Sequence, residues 1–168
     1  GRLSEVIDKL QPARVFACTA TATPEVRSDI VRTLRLTEPA VHVSGFLRDN
    51  LHLSAQLCRG DKERCTRMLD FIERHQKDGA VIVYSTTRQR VERFAAKCSE
   101  RFGADKVVAY HAGMDDVART QAQEQFMNGA AAIAVATNAF GMGIDRGDIR
   151  AVIHMDLPRT LEGYYQEV

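Results

Sequence analysis

Ala132-Ile-Ala-Val-Ala-Thr-Asn-Ala-Phe-Gly-Met-Gly-Ile-Asp145 changes character partway along. Ala132 to Ala136 shows no polar alternation, which is how a strand buried on both faces of a parallel sheet reads. Thr137 and Asn138 break that run, and Gly141 and Gly143 follow. In an open α/β sheet ligands bind just beyond the carboxyl ends of the strands, so Thr137 is predicted to stand at that rim. Its hydroxyl and the amides after it suit an anion such as phosphate. The glycines permit a tight backbone path and close approach of a ligand. Asp145 ends the loop with an acceptor suited to a sugar hydroxyl. Taken singly, the same glycines also fit a plain turn that Asp145 caps.

Outward from this stretch, strands and helices alternate. Toward the N-terminus lie a helix from Asp115 to Met127 and a strand from Lys106 to Tyr110 that leads into His111-Ala-Gly-Met114. Before them, Val91, Phe94, Ala95, Cys98 and Phe102 form one apolar helical stripe. Ala80-Val-Ile-Val-Tyr84 is too short for a helix and is followed by Ser85-Thr-Thr-Arg88. A helix from about Lys62 to Gln76 turns Cys65, Met68, Leu69 and Ile72 inward, and Leu51 to Leu57 reads as a further strand. Toward the C-terminus, Arg150 to His154 is a strand, Asp156-Leu-Pro158 stops it, and a helix begins near Thr160. Five strands with helical crossovers predict an α/β fold, a parallel sheet with helices on both faces. The opening is simpler: a helix to Leu10, a short buried strand from Ala13 to Cys18, a Thr-rich rim, and a helix from Pro24 to about Leu34. Thr23 before Pro24 is the order of an N-cap and first helical position. Thr37 to Asn50, with Pro39 and Gly45, reads as a connection.

The totals narrow the classes. The 168 residues are 45% hydrophobic with a net charge of +1, which fits a globular chain with a core and no global basic field. No apolar run approaches a membrane span. Cys18, Cys58, Cys65 and Cys98 have no C-x-x-C spacing, so no metal site is expected and free thiols in a reducing compartment are the simpler account. Arg90, Arg93, Lys97 and Arg101 make a basic helical stripe, a pattern that is more often a solvated face than a phosphate site and does not argue for DNA.

Thr137-Asn-Ala-Phe-Gly-Met-Gly-Ile-Asp145 resembles motif V of superfamily 2 helicases, and its Phe-Gly-Met-Gly-Ile form resembles the RecQ family. Thr19-Ala-Thr-Ala22 resembles motif III of these enzymes. Phe46-Leu-Arg-Asp-Asn-Leu51 is similar to the segment between RecQ lobes, with Asp49 in place of the usual proline. Tyr84 to Glu92 resembles motif IV, Tyr110 to Met114 with Arg119 the following motif, and His154 to Gln166 the approach to motif VI. The resemblance implies the end of a first RecA-like lobe and a linker at residues 1–48. At 49–168 it implies a second RecA-like lobe, the C-terminal helicase lobe, cut within motif VI. It implies single-strand DNA contacts by Thr87, Arg88, His111, Gly113, Thr137 and Asn138. Gly143, Asp145 and Gln166 would face the nucleotide, and Thr19 and Thr21 would couple the two. It further implies an ATP-dependent 3′-5′ DNA helicase using ATP and Mg2+ as the complete protein. Its partners would be single-stranded and duplex DNA and the first lobe of the same chain, in a bacterial nucleoid or a nucleus. No G-x-x-x-x-G-K-[ST] phosphate loop or Asp-Glu-x-His box occurs in these 168 residues, so this stretch alone is expected to bind no cofactor and to be inactive. The rival readings are a non-enzymatic degenerate RecA-like binding module and an RNA helicase lobe of the same superfamily. Against the latter, Phe140-Gly-Met-Gly143 replaces the Ala-Arg-Gly form more usual there.

Overall fold

The computed structural model describes residues 2–19, 22–43, 49–140 and 144–168. Thr21, Gly45, Phe46, Arg48, Gly141 and Gly143, which carry several of the readings above, lie outside the described residues. The chain divides into two compact units, Gly1–Ala55 and Gln56–Val168.

The first unit holds helices α1 (Arg2–Leu10) and α2 (Pro24–Thr33). Thr23 caps α2 as expected, its hydroxyl accepting from the Val26 amide at 3.3 Å with Pro24 in the first turn. Arg35 reaches Asp8 of α1 at 2.9 Å. Two expected strands are absent: neither Ala13 to Cys18 nor Leu51 to Leu57 joins a ladder. A strand exists by pairing and by burying one face, and these segments do neither. Phe16 is 89% exposed, and Leu53 and Leu57 are 61% and 94% exposed.

The second unit is built from α3 (Asp61–His75), β1 (Ala80–Tyr84), α4 (Arg88–Phe102), β2 (Val107–Tyr110), α5 (Asp116–Met127), β3 (Ile133–Ala136), β4 (Ile149–His154) and α6 (Leu161–Glu167). Short 3-10 turns precede β2 and follow β3. Among the described residues the sheet has four strands in the order β2-β3-β1-β4, all parallel, rather than the five expected. Every residue of β1 and of β3 is buried, which accounts for their unbroken apolar sequences.

Strand parity sorts the core into two layers. Val81, Val83, Ile133, Val135 and Ala151 pack against Met68 and Ile72 of α3 and Val91, Phe94 and Cys98 of α4. Ala80, Ile82, Tyr84, Ala134 and Ala136 face the other way, onto Ala122 and Phe126 of α5 and onto Phe140. The alanines leave room for the two rings on that side. Phe94, Phe126 and Phe140 are buried, each contributing roughly 1.5–3 kcal/mol. Gly79 opens β1 at φ +153°, where a Cβ would collide with the Asp148 carbonyl. That close approach lets the Ala80 amide bond the same carbonyl at 2.9 Å.

Candidate functional site

Because the strands are parallel, the residues after β1, β2, β3 and β4 gather on one edge of the sheet. After β1, the turn is organised by Asp156, which follows β4. Its carboxylate accepts from the Ser85 hydroxyl at 2.8 Å, the Thr86 amide at 3.2 Å and the Thr86 hydroxyl at 3.3 Å. Its second oxygen meets Arg90 at 3.0 Å and Arg64 at 3.5 Å. Burial alone would raise this carboxyl, but the bonds from Ser85 and Thr86 and the Arg90 charge hold it below its ordinary range. Thr87 then caps α4, its hydroxyl accepting from the Arg90 amide at 3.3 Å.

Arg88 begins α4 with its side chain exposed. Among the described residues it has no carboxylate partner, and it lies across Gly113, where a Cβ would fall 2.8 Å from its Cδ and Nη1. The structure thus brings Arg88 and Gly113 together from two loops. His111 is buried beside them. Its Nδ1 accepts from the Gly113 amide at 3.2 Å and its Nε2 faces Glu92 of α4 at 3.3 Å. With Nδ1 an acceptor, the neutral ring carries its proton on Nε2, toward Glu92. His111 thereby fixes the turn bearing Gly113 and ties it to α4.

After β3, the Thr137 amide extends the ladder to the Tyr110 carbonyl at 3.0 Å, and the Phe140 amide returns to the Thr137 carbonyl at 3.0 Å. The turn is pinned by Phe140, whose ring sits 4.9 Å from that of Tyr110 and 5.4 Å from that of Phe126. Thr137's own amide is therefore used within the fold; what it offers to the rim is its half-buried hydroxyl. Asn138 is exposed beside it.

Asp145 is exposed, and among the described residues its side chain makes no hydrogen bond. The turn that follows is closed instead by Arg146, paired to Asp148 at 2.6 and 2.9 Å. Arg146 is 10% exposed, lies over the Phe126 ring at 4.7 Å, and donates to the carbonyls of Ala131, at 2.8 Å, and Phe126. Those partners are at the base of the sheet, so the chain from Thr137 returns to the opposite end, and Asp145 lies on that return path. Gln166 is exposed on α6. This helix is held by Thr160 as its cap and by Glu167, 2.9 Å from Nε2 of His154. Burial lowers the His154 pKa, against the pull of Glu167. Thr19, in the first unit, is exposed.

The basic stripe of α4 is occupied. Arg90 and Arg93 pair with Asp61, the latter at 2.7 Å, Lys97 with Glu100 at 2.8 Å and Arg101 with Glu73 at 2.8 Å. Sequence reading passed over Asp156, Arg146 and Glu167. The available hints were an acid directly after an apolar strand, an arginine between glycines and acids, and an acid in register with a strand-end histidine. Among the described residues no group of three or more His, Cys, Asp or Glu could hold a metal, and no helix is long and apolar enough to cross a membrane.

Comparison with known proteins bears on the chain as a whole. The family model described as helicase conserved C-terminal domain matches residues 62–168. The chain is 39% identical to "ATP-dependent DNA helicase hus2/rqh1" of Schizosaccharomyces pombe over 95% of its length, which is 12% of that protein. It is 39% identical to "ATP-dependent DNA helicase RecQ" of Bacillus subtilis over 91% of its length and 25% of that protein. "RecQ-like DNA helicase BLM" of Xenopus laevis is 36% identical over 99% of the chain and 12% of its own length. The chain thus spans a quarter or less of these relatives. Among solved structures, Saccharomyces cerevisiae Dbp5 bound to RNA and ADP BeF3 superposes with a TM-score of 0.70 at 16% identity. That match covers 89% of this chain and 39% of the other. The DUF1998 helicase MrfA bound to DNA and AMPPNP gives 0.53 at 18% identity over 62% of this chain and 16% of the other. At such identities these two speak for the fold alone, a RecA-like α/β lobe.

Proposed function

The chain belongs to the family of helicase conserved C-terminal domains, and on that premise we propose that it is part of an ATP-dependent 3′-5′ DNA helicase motor of RecQ type. The observation that carries this reading is the pairing of an exposed Arg88, which meets no carboxylate among the described residues, with Gly113 on the rim that also bears Thr137. A guanidinium, a hydroxyl and a side-chain-free approach along one edge suit the phosphates of a single strand. Thr87 and Asn138 border that path, and His111 shapes it from beneath.

Residues 49–168 would form the second lobe, with residues 1–48, including Thr19 and Thr21, closing the first. When bound, ATP would supply the free energy for movement through its hydrolysis. Asp145 would accept from its ribose, and Gly143 and Gln166 would lie along the same wall. Magnesium would enter with the nucleotide and be held by residues outside these 168. The complete protein would act in a nucleoid or a nucleus. The DNA reading is preferred to an RNA one because the relatives above are named DNA helicases and because Phe140-Gly-Met-Gly143 stands where RNA helicases more usually carry an Ala-Arg-Gly form.

The test is strand-dependent ATP hydrolysis and unwinding of a 3′-tailed duplex by the full-length protein, with Thr137→Ala alongside. Loss of one hydrogen bond to a phosphate should weaken single-strand binding by about 1.5–3 kcal/mol. ATP turnover indifferent to single-stranded DNA would overturn the proposal. Unchanged affinity in Thr137→Ala across a salt series would leave Thr137 a purely structural rim residue.

A further inference from the structure

Asp156 touches none of the groups assigned to ligands, yet five donor atoms from other segments converge on it. The Ser85 hydroxyl and the Thr86 amide and hydroxyl come from the turn after β1, Arg90 from α4 and Arg64 from α3. Its side chain is 17% exposed, so the charge is thinly hydrated and depends on those donors. Ser85 is 3% exposed, and without Asp156 its hydroxyl would be left buried with no acceptor. Thr87 caps α4 by a separate bond and would keep doing so. Removing Asp156 therefore frees the turn ahead of α4 while sparing the helix itself.

We infer that Asp156 is a positioning residue that fixes the Ser85–Thr87 turn, and through it the exit of Arg88 onto the strand path, to the connection entering α6. The inference rests on the reading of Arg88 as a strand contact. One carboxylate then holds in register the loop that meets nucleic acid and the segment that presents Gln166. Ser85 and Thr86 are 71 and 70 residues away along the chain, so it joins loops that sequence proximity does not.

The experiment measures binding of a labelled oligothymidylate to the full-length protein without nucleotide, alongside its melting temperature. The variants are Asp156→Ala, Arg88→Ala and the two together. Asp156→Ala should weaken binding roughly tenfold, and the double variant should bind no more weakly than Arg88→Ala alone, since a residue acting through Arg88 has nothing left to position. Losses that add, or unchanged affinity in Asp156→Ala while Arg88→Ala binds poorly, overturn the inference and leave Arg88 standing. Unchanged affinity in Arg88→Ala removes the strand-contact reading and the inference with it. Should the alanine variant not fold, Asp156→Asn keeps an acceptor for Ser85 but drops the charge facing Arg90 and Arg64. A loss that disappears in the Arg88→Ala background supports the inference there, and wild-type affinity overturns it.

Discussion

Gly113 matters for what it lacks. Its backbone is not in the left-handed region, but a Cβ there would press on the Arg88 side chain. Gly113→Ala is expected to shift stability by no more than about 0.5 kcal/mol, because Arg88 is flexible and can swing aside, while single-strand affinity falls as the guanidinium is displaced. Melting and oligonucleotide binding on one preparation check this pair of outcomes. Asp145 gives the complementary case. It makes no hydrogen bond among the described residues, and the turn beyond it is closed by Arg146 and Asp148. Asp145→Ala should keep its melting temperature, preserve nucleotide-free DNA binding, and raise the ATP concentration for half-maximal unwinding. A turn-cap role would instead cost about 1 kcal/mol of stability with ATP dependence intact. The rim placement of Thr137 and Arg88 was legible from their positions after apolar runs. Asp156 and Arg146 were not, because Asp156 meets Ser85 from 71 residues away and Arg146 reaches the Phe126 carbonyl from 20, and sequence shows a charge but not what it will meet.

Helix α4 carries its capping residue and a proposed strand contact in the same hydroxyl. Thr87→Ala should cost about 1 kcal/mol of stability through the lost cap, and Thr87→Ser should restore it. Urea unfolding of both variants separates capping from binding: a serine variant with wild-type stability but weakened DNA affinity would show that the methyl group also matters at the rim. The helices were readable because burial repeats every three to four positions; Val91, Phe94, Ala95 and Cys98 are buried as their spacing predicts. Strands β1 and β3 were readable because both faces are covered and no polar residue interrupts them. Leu51 to Leu57 misled for the opposite reason. Its period-two alternation is a strand's signature, but pairing is a long-range event, and the described residues give it no neighbour.

For the molecule as a whole, the titrating groups buried in the core set an alkaline limit. Burial, with some help from Glu167, pushes the Tyr84 phenol up to about 12, and burial, with Cys65 nearby, pushes the Cys98 thiol up to about 12. A folded pKa above the ordinary value means stability that is complete below that value and is lost as pH rises through the folded pKa. The denaturation midpoint should therefore decline as pH rises above the ordinary thiol and phenol values of 9.0 and 10.0 toward 12. Cys98→Val should move the onset of that decline upward, read as urea midpoint against pH. Asp156 acts in the other direction: its lowered pKa gives stability present above the ordinary carboxylate value of 3.8 and lost as pH falls through the folded pKa. The α/β class was legible at this scale from alternation alone, whereas the number of strands was not, since it depends on which extended segments find a partner.

Strands β1 and β4 are fastened at both ends, by the Ala80 amide to the Asp148 carbonyl at the base and by the Met155 amide to the Tyr84 carbonyl at the rim, each at 2.9 Å. Ser85 and Asp156 add a third tie beyond the rim. Tension applied along these strands loads the bonds between them in shear, so they must give way together rather than unzip one by one. Under load, β1 and β4 are therefore expected to move as one stiff pair.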